Sequence, residues 1–301
     1  MPLLSLTYKS DLLKYDTLTY ESIIDTKSSD LTCPLDNYKR HIEQINKLQG
    51  NNYAVELLKK MSVEAKISED DFGDLQNKLN DTNNLDNTLL NLILLGHISA
   101  VESYLREIVT KIINIDKYSF EKCADLNLSF LAANSHPKNT LAESLLEYKT
   151  FIEKKDIINL FDTFIGIKFD VNTLEILEEF EKICNLRHVI IHRFSKIGIK
   201  NLKKLDLHGN KKFLEKKLVL NYKFIQDSTK VCEYLVNNIN QTIAEKVIIR
   251  KFRDENVQKI PHRAGLHEFK KYAKIFYSKD IQLDFETEFS KIKSALKINN
   301  Q

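Results

Sequence analysis

The stretch DNTLLNLILLGHISAVESYLREIVTKIIN, Asp86 to Asn114, decides the fold class. Its apolar residues Leu89, Leu92, Ile93, Leu95, Ile98, Val101, Leu105, Ile108 and Ile112 recur at steps of three and four. That is the period of a buried helical stripe. At about 1.5 Å per residue it predicts one helix roughly 45 Å long. Glu102 and Arg106 stand one turn apart in the order that favours an ion pair.

The same period spreads in both directions. It begins near Asp36, after the break Cys33-Pro34-Leu35, and recurs over 52–63, 68–80, 139–153 and 156–164. A second long helix is expected from Asn172, as N-cap, to Phe194, with Glu175, Glu178, Glu179 and Glu181 crowding its first turns. Another is expected over 227–252, and two basic amphipathic helices over 264–300. Only Leu3 to Tyr8 reads as a short strand. Polar or breaking residues separate the segments: 80–84, Pro137, Gly198, Gly209 and Pro261. With 7 Gly and 4 Pro in 301 residues, the chain lacks the turns of a sandwich or barrel and the glycine-rich loops of a dinucleotide fold. An all-α protein is expected: an amino-terminal accessory region over 1–80, a helical core over 81–260 and a basic helical tail over 261–301.

A mean hydropathy of −0.33 with 29% charged residues describes a soluble globular chain. The four cysteines are scattered and form no CxxC, which fits a reducing compartment better than a disulfide scaffold. Neither a secretory leader nor a bilayer-length apolar run is read, so a cytoplasmic protein without a membrane role is expected. The net charge of +3 averages unlike parts. Residues 1–193 carry 22 Lys and Arg against 30 Asp and Glu, a balance of −8, and residues 194–301 carry 23 against 12, a balance of +11. A basic end on an acidic body suits an anionic partner, nucleic acid first, although a lysine-rich solvated surface would give the same count.

At the junction lies Cys184-Asn185-Leu186-Arg187-His188-Val189-Ile190-Ile191-His192-Arg193. On a helical wheel, at about 100° per residue, Arg187 falls in the middle of an apolar face made by Ile176, Ile183, Ile190, Ile191 and Phe194. His188 and His192 share one edge, about 40° apart. A guanidinium there costs several kcal/mol unless it is paired or faces a ligand or an interface. One account is a structural Arg neutralised by a buried carboxylate, with Glu102 as the partner. The other is an anion-binding Arg beside a titratable His, the pair that phosphodiester chemistry uses. Zinc on His188 and His192 with Cys184 lacks a fourth ligand, and Val189 stands where a metalloprotease needs Glu.

Arg187 with His192 five residues on, late in an acidic-to-basic helix and with a polar residue directly after the Arg, resembles the R-x4-H signature of HEPN domains. These are all-helical domains of toxins, abortive-infection systems and other antiviral effectors. The resemblance covers residues 82 to 252 and leaves the first 80 residues and the tail unexplained. It implies a metal-independent endoribonuclease, with no cofactor, in which two protomers pair their signature helices into one composite cleft. Arg187 would hold the scissile phosphate, and His192 would act as base or acid while the 2′-OH attacks phosphorus. DNA, lacking that hydroxyl, would be inert. His188 would assist or orient, and Glu102 would be the polar contribution of the upstream helix. The tyrosine often found two residues after the motif His, which a partner nucleotidyltransferase modifies, is Phe194 here, so that regulation is disfavoured.

RNA, a second copy of the chain and an antitoxin or other regulatory protein are the partners this reading implies. Arg193 and the connector lysines Lys200, Lys203, Lys204, Lys211 and Lys212, together with the basic tail, would draw RNA by phosphate attraction. The alternative is a non-catalytic HEPN-like module that uses the same Arg and His to bind a nucleotide or a protein.

Overall fold

The computed structural model describes residues 33–48, 83–137, 140–207 and 209–298. The expected strand at 3–8 and the helices at 52–63 and 68–80 lie outside them. The described residues are all-α: eleven helices, one 3-10 turn at Lys211–Phe213, and a single isolated antiparallel bridge between Lys196 and Lys217. In chain order the helices are α1 Pro34–Lys47, α2 Asn83–Ile115, α3 Lys117–Cys123, α4 Phe130–Ser135, α5 Leu141–Ser144, α6 Lys154–Ile165, α7 Val171–Arg193, α8 Ile199–Lys204, α9 Tyr222–Asp254, α10 His262–Phe276 and α11 Phe285–Ile298.

The stretch that opened the reading becomes α2, the hub. It packs most extensively on α1 and α9, while α7 packs chiefly on α9 and also touches α2. Ile98, Val101, Leu105, Ile108, Val109 and Ile112 are fully buried along its length. Leu92, expected in the stripe, is instead 57% exposed, and its neighbour Asn91 turns inward to donate to the Ser195 hydroxyl (3.3 Å). The segment Asn87–Ile115 is long and apolar enough to cross a membrane by length and composition. Half of its apolar window is buried within the described residues. Ile93, Leu94, Ile98, Val101, Leu105, Ile108 and Ile112 pack there in the common core, while Leu92 stays exposed. The carboxy-terminal helices share this core: α10 packs on α9, α1 and α2, and Phe269, Phe276 and Phe289 are buried with it.

Capping residues set several boundaries. Pro34 occupies the first turn of α1, where its missing N–H costs nothing. Asp116 caps α3 by accepting from the Ser119 N–H, and Asn221 caps α9 by accepting from the Phe224 N–H. The helix expected over 139–153 shrinks to Leu141–Ser144. Arg106 accounts for part of that, because its guanidinium donates to the Leu146 carbonyl (2.6 Å) just past the helix end. The same Arg reaches Glu143 rather than Glu102, so the expected i, i+4 pair does not form.

Candidate functional site

Helix α7 carries the site. It starts two residues earlier than Asn172 would place it, because the Asp170 carboxylate accepts from the Thr173 N–H (2.8 Å) and so takes the cap. It ends without a glycine: Phe194 (φ 49°) and Ser195 (φ 67°) both adopt the left-handed conformation. That costs a non-glycine residue about 1–2 kcal/mol. Tertiary bonds hold the turn. The Ser195 N–H donates to the Val189 carbonyl (3.1 Å), its own carbonyl accepts from Leu218 N–H (2.6 Å), and its hydroxyl accepts from Asn91. Gly198 is not the helix stop. It begins α8, where the Asn201 side chain accepts from its N–H (3.1 Å).

Between α7, α8 and the start of α6 lies a cleft of about 710 Å³. Arg187, His188 and Asn185 line it from α7, Lys200 and Lys204 from α8, and Glu153 from the entrance to α6. Arg187 is half-buried, and it forms no hydrogen bond or ion pair with any other described residue. The pairing that a structural Arg would require is therefore not made within the described residues. Glu102, across on α2, is half-buried with Oε1 sealed from solvent and unbonded. Burial pushes its carboxyl pKa up, and the positive charges of Arg187 and Arg106 pull the other way. The two groups feel each other electrostatically without forming a contact pair.

His188 and His192 are exposed, with ring centroids 4.7 Å apart and planes tilted by 48°. Desolvation lowers the His188 pKa, and the neighbouring His192, Lys204, Arg187 and Arg193 lower it further. His188 is thus biased toward the neutral, proton-accepting form near neutral pH. His192 does not line the cleft that holds Arg187. A five-residue step turns the two side chains about 140° apart on one helix, so one copy of α7 presents them in different directions. The apolar face around Arg187 is covered only in its first half. Ile183 is buried, Ile191 is 48% exposed and Phe194 is 92% exposed.

The remaining expected contacts divide. Arg193 donates to Glu215 (2.6 Å), and its guanidinium lies so close over Gly198 that a Cβ there would fall 1.7 Å from Nη1. Lys204 pairs with Glu153 (3.1 Å). Lys200 and Lys203 are exposed, and Lys212 sits over the Phe213 ring at 5.1 Å, next to Lys211 on the 3-10 turn. Asn185 and Asn201 were not among the expected site residues. The Asn201 amide donates to Asn185 Oδ1 (3.3 Å), and the Asn185 Nδ2 is buried without a partner. Asn185 stands on the same wheel edge as the two histidines, and Asn201 stands three residues after Gly198, so both had a periodic signal. Cys184 and Cys232 are buried, free thiols of the core.

No family model matches the chain, and neither a curated protein nor a solved structure matches it.

Proposed function

We propose that the protein is an endoribonuclease that works without a metal and completes its active site from two copies of α7. The observation that carries the reading is Arg187, a half-buried guanidinium in a cleft, with no hydrogen bond or ion pair to another described residue, beside the His188–His192 pair. A planar, permanently charged group in that state suits two non-bridging oxygens of a phosphodiester. The R-x4-H resemblance points to the same chemistry.

In this reading Arg187 holds the scissile phosphate and offsets charge as it builds on the phosphorus oxygens. One His192 takes the proton from the 2′-OH as that oxygen attacks phosphorus. His192 of the second copy returns a proton to the 5′-oxygen as the P–O5′ bond breaks. The products are a 2′,3′-cyclic phosphate and a free 5′-hydroxyl. His188, held toward its neutral form, orients or relays. Glu102 holds the underside of Arg187 by charge alone.

Two features support the second copy. Arg187 and His192 diverge on a single helix, so a facing α7 is the simple way to bring both signature groups to one phosphate. Ile191 and Phe194 also leave uncovered the apolar face that a second α7 would bury. A toxin or antiviral effector in the cytoplasm is the setting that the resemblance suggests.

The test is cleavage of a labelled RNA in EDTA by the wild type, Arg187→Ala and His192→Ala, with solution mass measured on each. Cleavage is expected only from wild type, as a dimer, leaving cyclic phosphate ends. Equal activity in all three, strict metal dependence, or a strict monomer with full activity would overturn the proposal. RNA bound but left intact by the wild type would favour the non-catalytic binding module.

A further inference from the structure

Helix α10 has a solvent face that the candidate site does not use. Arg263, His267, Lys270, Lys271 and Lys274 are all exposed on it. At about 100° per residue they fall within an arc of about 100°, in a stripe about 16 Å long. None of the five has a carboxylate at ion-pair distance among the described residues. Some exposed lysines elsewhere are compensated: Lys117 by Glu121, Lys155 by Glu153, and both Lys223 and Lys230 by Asp227. Connector lysines such as Lys200 and Lys203 are exposed without an ion pair among the described residues. What sets α10 apart is the alignment of its cations on one helical face. The one acidic residue of α10, Glu268, is turned off the stripe toward Lys251 (3.9 Å). The opposite face is locked, since Leu266, Phe269, Tyr272, Ile275 and Phe276 are in the core. Four fixed positive charges are therefore held along one helix with no ion-pair partner among the described residues, Lys270 resting over the Phe285 ring at 5.7 Å.

We propose that this stripe is a docking track for the RNA backbone, separate from the Arg187 cleft. The inference rests on RNA being the substrate of that cleft. Uncompensated cations in a row complement a polyphosphate by charge, and release of its condensed counterions drives the association. Apart from the single imidazole of His267 the stripe carries no exposed aromatic ring for base stacking, so it reads chiefly phosphates rather than sequence. An anionic membrane surface fits less well. Interfacial helices present large apolar side chains beside their charges, and those of α10 all point into the core.

The experiment measures binding of a labelled, mixed-sequence single-stranded RNA to the full chain carrying His192→Ala, titrated across salt concentration. Three forms are compared: that chain, the same chain with Arg263→Gln, Lys270→Gln, Lys271→Gln and Lys274→Gln, and a charge-matched control with Lys117→Gln, Lys155→Gln, Lys223→Gln and Lys230→Gln. Each phosphate contact contributes about 0.7 to the slope of log K against log salt. The stripe variant should lose about 3 from that slope and bind about a hundredfold more weakly near 0.15 M salt. The control should stay close to the parent. Single Lys271→Gln should remove a slope of about 0.7, which guards against a folding artefact in the quadruple variant. Equal weakening by stripe and control variants would overturn the track, as would vesicles rich in phosphatidylserine binding the parent while RNA does not. With His192 restored, cleavage of a dinucleotide too short to reach α10 should be equal in the stripe variant and the wild type. That readout tests the cleft separately from the track.

Discussion

His97 offers the sharpest measurement of the packing that supports α2. Its imidazole is buried, 1% exposed, between α2 and α9. The Thr229 hydroxyl gives its proton to the Ile225 carbonyl (2.9 Å), so at His97 Nδ1 (3.0 Å) it accepts. Nδ1 therefore carries the hydrogen, and Nε2 is left as a buried lone pair without a partner. Burial holds the pKa down to about 4, against an ordinary 6.5. The unfolded chain takes up this proton below about pH 6.5, whereas the folded chain resists it until about pH 4. The stabilisation is complete at neutral pH and drains away as pH falls between those values. Holding the imidazole from 6.5 down to about 4 corresponds to about 3 kcal/mol, at about 1.4 kcal/mol for each tenfold change in proton affinity. The assay is urea unfolding of wild type and His97→Gln at intervals from pH 8 to pH 4. Carboxylates elsewhere titrate alike in both proteins, so the difference between the curves isolates this group. Wild type should lose about 3 kcal/mol more than the variant over that range. Parallel curves would refute the reasoning and mean that the imidazole is hydrated or already charged in the fold.

Arg250 spans a second buried polar joint, donating to Ile165 O and to the cap carboxylate of Asp116, whose side chain is 4% exposed. Arg250→Met leaves that buried carboxylate with its Ser119 hydrogen bonds but no counter-charge. It should cost about 3–5 kcal/mol in chemical denaturation, while Arg250→Met with Asp116→Asn should cost much less than the sum of the two. At the end of α7, Phe194→Gly relieves a left-handed φ and removes an apolar side chain that makes little contact in one copy. The single copy should gain about 1 kcal/mol in thermal unfolding, while the proposed pair of copies should dissociate more readily in a dilution series.

Among the described residues the longest helices were legible from their apolar stripes, although the helix expected over 139–153 is only Leu141–Ser144. The stripe of α2, expected over 86–114, fills 83–115, and α9 and the two tail helices lie within a few residues of their expected places. Short helices were not legible. Helix α8 hides in a run of lysines, because one and a half turns carry too few apolar positions to show a period. Boundaries moved where a single side chain competed for a cap, as Asp170 did against Asn172.

At the candidate site, the spacing of the sequence alone determined which residues share α7 and at what angles: Arg187 within an apolar face, His188 beside His192. Helical geometry is a local property, so no partner is needed to know it. Only the tertiary structure decided what each of those faces meets. It left Glu102 near Arg187 without a bond, spent Arg193 on Glu215, turned Lys204 to Glu153, and left the end of the apolar face open at Ile191 and Phe194. Contacts between segments far apart in the chain depend on how helices dock. A periodic pattern fixes the direction of a side chain on its own helix but not what stands opposite.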